Sequence, residues 1–91
     1  MGLTRLRLTV GGQVQGVGYR WFVREQARRR GVSGWVRNRE DGAVEIEAEG
    51  EADELKAFVA AIETGHALAR IESLASETLD AKGEESFEIQ T

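Results

Sequence analysis

Between residues 4 and 10 the chain alternates. Leu6, Leu8 and Val10 are apolar, while Arg5, Arg7 and Thr9 are polar. A period of two predicts a strand with one face on a core. The period changes further on. Tyr19, Phe22, Val23, Gln26 and Ala27 recur at helical spacing, with only Gln26 polar, and predict an amphipathic helix. Arg28, Arg29 and Arg30 fall in its last turn, where cations suit the helix dipole, and Gly31 stops it. Residues 33–39 predict a second strand, and Glu40-Asp41-Gly42 carries the Asp-Gly signal of a hairpin turn. Val44, Ile46 and Ala48 then alternate with Glu45, Glu47 and Glu49 as a third strand. Gly50 opens a second helix, with acids Glu51, Asp53 and Glu54 at its positive end and Leu55, Phe58, Val59 and Ile62 as its buried stripe. Gly65 closes it. Residues 71–77 predict a weaker strand, 78–86 a polar loop, and 87–89 a short final strand.

This order, βαββαβ plus a short terminal strand, is the split β-α-β, ferredoxin-like pattern. It predicts an α+β fold with an antiparallel sheet and both helices on one face. We expect one domain over residues 1–91, since a chain of 91 residues buries a single modest core. No repeat, linker or low-complexity segment divides it.

Composition narrows the chemistry. With no cysteine and a single histidine, His66, the chain can build neither a thiolate site nor a multi-histidine metal site. No apolar run approaches the roughly 20 residues that span a bilayer, and the N-terminus lacks the apolar core of a signal peptide. A soluble, cytoplasmic protein with no membrane partner is the expectation. The net charge of −4 hides an asymmetry. Residues 1–39 hold nine arginines against one acid, Glu25, and the acids crowd the remainder. A nucleic-acid binder is usually basic overall, so a local basic site on an acidic body favours a small anion. The other arginines, and the acids of the third strand and second helix, are expected to be solvated surface. Trp21 and Trp35 are expected to pack.

The stretch from Gly11 to Arg20 carries the strongest signal. Four of its ten residues are glycine, it joins a strand to a helix, and it ends on arginine. Such a turn can aim several backbone N–H groups at one point, at the positive end of a helix. The Arg20 guanidinium can add a forked, charged donor. Neither the Walker pattern nor the dinucleotide fingerprint fits, because no Gly-Lys-Ser/Thr and no third glycine follow Gly18. Asn38, the only asparagine, stands near the end of the second strand, where its propensity is poor. Turn chemistry would explain it; so would an amide that holds a water by both donating and accepting. His66 is expected in the loop after the second helix.

Residues 12–20 closely resemble the glycine-x-valine-glutamine-glycine-valine-x-aromatic-arginine signature of the acylphosphatases. Gly34-Trp35-Val36-Arg37-Asn38, followed by Asp41-Gly42 and Val44-Glu45, resembles their second signature. The likeness covers nearly the whole chain. It departs from the family at Gln13, where a basic residue is common, at Gly65-His66, where many members have glycine-proline, and at Gln90-Thr91. The resemblance implies a small cytoplasmic, monomeric hydrolase of acyl phosphates that needs no metal or cofactor. Inorganic phosphate would be its product and inhibitor. Arg20 falls on the family's phosphate-binding arginine, Asn38 on its water-positioning asparagine, and Gln15, Gly16, Val17, Gly18 and Tyr19 on its phosphate-binding loop. Two other readings share the fold: a binding module, of which the RNA-binding version needs exposed sheet aromatics, and a carbamoyl-phosphate-handling domain, since acylphosphatase-like domains also occur within larger hydrogenase-maturation proteins. The end of the chain near residue 91 leads us to expect the free-standing enzyme.

Overall fold

The computed structural model describes residues 2–91. The elements run β1 (Thr4–Gln13), α1 (Tyr19–Arg29), β2 (Ser33–Asn38), β3 (Val44–Gly50), α2 (Ala52–Thr64), β4 (Arg70–Leu79) and β5 (Phe87–Ile89). They build one five-stranded sheet in the order β4-β1-β3-β2-β5. The alternation read from the sequence sets its two faces. Leu8, Val10, Val36, Val44, Ile46 and Ala48 are buried in one core with Val23 and Ala27 of α1 and Leu55, Phe58 and Ile62 of α2. Both helices therefore cover the same face, and each is held there by its apolar stripe.

Three features differ from expectation. First, β1 runs on to Gln13, so Gly11 and Gly12 belong to the strand rather than to the loop. The register with β4 shifts between these two glycines, as at a β-bulge, and lets the strand bend before the loop begins. Second, the sheet is mixed. Strand β5 lies parallel to β2, pairing Gly34 with Phe87 and Val36 with Ile89. The cause is the route of the chain. Strand β4 ends opposite Arg5, at the start of β1, and residues 80–86 cross the sheet at that same end. A strand that begins beside the start of β2 must run in its direction.

Third, the polar face of β3 is not solvated. Glu45, Glu47 and Glu49 are all buried, and Arg5 beside them is 0% exposed. Arg5 Nε donates to Glu47 at 2.8 Å and Nη1 to Glu49 at 3.1 Å, and Nη2 also reaches Glu84. Arg7 and Arg37 pair with Glu47 and Glu45. Glu49 in turn accepts the backbone N–H groups of Lys82 and Gly83 at 2.6 and 2.8 Å. The crossing segment thus seals an ion-pair ladder that alternation alone predicts to face water. Burial pushes the Glu47 and Glu49 carboxyl pKa values up, but the hydrogen bonds outweigh it. Arg5 and Arg7 hold Glu47 below the usual range, and the two backbone donors, then Arg5, do so for Glu49.

Candidate active site

The glycine-rich loop and the β2–β3 hairpin meet at the opposite end of the sheet from this crossing. Gly16 and Gly18 adopt φ of 76° and 77°, left-handed values that favour glycine and let the loop turn back on itself before α1. Gly18 is also the N-cap of α1, and no side chain caps it. The first turn contains no acid. Its leading N–H groups lack the usual intrahelical acceptors, and no carboxylate competes for the positive end of the dipole. The first turn-closing bond runs from Phe22 N–H to Gly18 C=O at 3.1 Å.

Arg20 lies in that turn and Asn38 at the last position of β2. The structure brings them together: both line a small cavity of about 80 Å³ whose floor includes Gly16, Gly18 and the buried Val14. That is far below the roughly 300–1,000 Å³ of sites for drug-sized ligands, and it suits a small anion. Like Arg24, Arg29, Arg30 and Arg70, and unlike Arg5, Arg7, Arg37 and Arg39, Arg20 pairs with no carboxylate among the described residues, and of these unpaired arginines it is the one that lines this cavity. The Asn38 Oδ1 is buried and finds no hydrogen-bond partner there. A buried acceptor left dry costs on the order of 1–3 kcal/mol, and this one stands beside an open cavity that also contains an arginine. A larger, apolar groove of about 450 Å³ lies between α2 and strands β1 and β4. It contains neither Arg20 nor Asn38.

The remaining loop residues divide by what their side chains do. Gln15 Nε2 donates to the carbonyls of Arg39 and Ala43, both at 2.9 Å. Its amide therefore ties the loop to the hairpin, which sets the distance between the helix end and Asn38. Across the turn itself, Ala43 N–H donates to Asp41 Oδ1, and the Arg39 N–H bonds the Ala43 carbonyl at 2.8 Å. Tyr19 is buried, and its hydroxyl donates to the Ile62 carbonyl at 2.7 Å. Burial, and less so Glu63, pushes that phenol's pKa up. Tyr19 thus anchors α1 on α2 at the edge of the cavity. Val17 packs against the core. His66 accepts from the N–H groups of Leu68 and Ala69 through Nδ1 and stacks edge-on against Phe22, a structural part in the loop where the sequence puts it.

Trp21 departs from expectation. It is 62% exposed and lines the cavity beside Arg20. The sequence carries the signal, since position 21 falls off the apolar stripe of α1. The roles of Gln15 and of the crossing segment had no such signal. Among the described residues no group of three or more His, Asp or Glu side chains is arranged to hold a metal ion, and no helix is long and apolar enough to cross a membrane. The open sheet face presents paired charges rather than a platform of exposed aromatics.

Comparison with known proteins decides the family. The acylphosphatase family model matches residues 6–89. The chain belongs to the acylphosphatase family. An acylphosphatase of Bacillus licheniformis is 42% identical over 88 residues, covering 96% of this chain and 98% of its own. One from Treponema denticola is 46% identical over 88 residues, covering 97% and 94%. Among solved structures, the acylphosphatase of Bacillus subtilis superposes with a TM-score of 0.94 at 38% identity, covering 99% of this chain and all of that one. The expected α+β, ferredoxin-like fold is shared with this acylphosphatase, with the parallel β5 as the one change to the antiparallel sheet.

Proposed function

We propose that this acylphosphatase-family hydrolase cleaves acyl phosphates to a carboxylate and inorganic phosphate, as a monomer whose catalytic groups lie within one domain. The observation that carries the assignment of roles is the pairing, in one small cavity, of an arginine without a carboxylate and an asparagine whose buried oxygen has no partner. In this reading the phosphoryl oxygens rest on Arg20 and on backbone N–H groups of residues 15–19. These donors bind most strongly as charge redistributes in the transition state. Asn38 accepts one hydrogen of a water and directs its oxygen at phosphorus, which removes part of the entropic barrier. The new bond joins water oxygen to phosphorus, and the bond from phosphorus to the acyl oxygen breaks. The leaving carboxylate is already a weak base and needs no general acid. The water's proton passes to a phosphoryl oxygen of the substrate. Phosphoryl transfer of this kind rests on positioning and charge stabilisation, which is what so few groups can supply.

The test is hydrolysis of benzoyl phosphate by the purified protein, with Arg20→Gln as control. The variant is expected to lose on the order of 10²–10³ in kcat, the scale of losing one donor to a developing charge. Inorganic phosphate should inhibit the parent competitively. An Arg20→Gln enzyme as fast as the parent would overturn the assignment of Arg20.

A further inference from the structure

The cavity that would take the phosphoryl group leaves the acyl group unaccounted for. Its lining offers little to hold one. Val14 and Tyr19 are buried, Gly16 and Gly18 have no side chains, and Arg20 and Asn38 are polar. Trp21 alone gives that rim a large exposed apolar surface. A single exposed apolar residue is ordinary in itself. This one differs because it stands next to Arg20 in the first turn of α1 and is held in place. The Arg24 guanidinium, one turn further on, lies over the indole ring at 3.9 Å from its centroid. The Arg24 Nε is buried with no hydrogen-bond partner, so the stacked position stands without an ion pair or a polar contact at that atom. Cation stacking of this kind orients the ring and lowers the entropy lost when a ligand packs on it.

We propose that Trp21, braced by Arg24, is a specificity residue for the leaving group and selects acyl phosphates with an aromatic or extended apolar acyl part over short ones such as acetyl phosphate. The inference rests on the acyl phosphate reading above. Its physical content is differential contact: a benzoyl ring packs on the indole, and a methyl group barely reaches it. An aromatic contact corresponds to a factor of about 3–10 in binding, and that factor appears in kcat/KM when the contact persists in the transition state.

The experiment compares benzoyl phosphate with acetyl phosphate in the parent, in Trp21→Ala and in Trp21→Phe. Competitive inhibition by benzylphosphonate and by inorganic phosphate is measured alongside. The benzoyl-to-acetyl ratio of kcat/KM is expected to fall about 3- to 10-fold in Trp21→Ala and to stay near the parent value in Trp21→Phe. The inhibition constant for benzylphosphonate should rise by a similar factor relative to that for phosphate. A parent that hydrolyses both substrates, with ratios unchanged in Trp21→Ala, would overturn this inference and leave the acyl phosphate reading standing. A parent that hydrolyses neither would overturn both. Because Trp21 is exposed on a helix surface, the alanine variant should unfold at the parent's denaturant midpoint, and its kinetics then report on contact and not on folding.

Discussion

Replacing Asn38 by alanine should cost the enzyme its rate and cost the fold nothing. The Asn38 Oδ1 is buried without a protein partner, so the folded state carries a polar group it does not satisfy internally. Such a group costs about 1–3 kcal/mol when dry, and a bridging water reduces the cost while giving up as much as ~2 kcal/mol of its own freedom. Removing the amide relieves either penalty, against a small loss of packing at the end of β2. Stability should stay level or rise by about 1 kcal/mol, which for a chain of this size corresponds to roughly 4–8 °C in Tm. Activity moves the other way. Loss of a positioned water costs on the order of 10²-fold in kcat, about 3 kcal/mol of barrier, with less effect on phosphate inhibition because the anion sits on Arg20 and the loop. The assay pairs urea unfolding with benzoyl phosphate kinetics on the same preparations. A stability loss above about 1 kcal/mol would make Asn38 a turn residue, and retention of kcat would remove its assigned role.

Other outcomes follow from the same geometry. Arg5→Met leaves the buried Glu49 without a cation and takes from Glu47 one of its three, Arg7 and Lys82 remaining; it should destabilise by about 3–5 kcal/mol, read from the denaturant midpoint, and a loss under about 1 kcal/mol would refute the reasoning. Glu47 and Glu49 bind protons less readily folded than unfolded. Stability is therefore full above the unfolded carboxyl pKa of about 4.3 and falls as pH drops below it; a midpoint that holds steady from pH 6 to pH 3 would refute this. Gln15→Ala cuts both hydrogen bonds between loop and hairpin and should lower kcat/KM roughly tenfold, the scale of a displaced positioning group, while Gln15→Glu, which cannot donate to the two carbonyls, should not rescue it.

Local pattern carried most of the fold into view. Periods of two and of 3.6 residues identify the strands and helices, because alternation and helical recurrence depend on neighbours in sequence. The loop glycines, Arg20 and Asn38 stood out for the same reason: each is a residue type whose conformational or hydrogen-bonding habit is unusual where it stands. That the two meet in one cavity follows from β1 and β2 flanking β3 antiparallel, so that both finish at the same end of the sheet.

What the sequence could not decide was which polar groups leave water. Glu45, Glu47 and Glu49 alternate as a solvated strand face should, yet they are buried. The 80–86 crossing lands on two of them from more than thirty residues away, with backbone N–H groups on Glu49 and Lys82 Nζ on Glu47, while Glu45 pairs with Arg37 and Arg7. The same crossing turns β5 parallel to β2. Likewise the Gln15 side chain gives its donors to the hairpin, and the Asn38 oxygen is left without a protein partner in the cavity that the loop and β2 share. Pattern along a chain records what each residue prefers. Burial, pairing and the absence of a partner are properties of the packed whole, because they depend on which distant backbone arrives to exclude water.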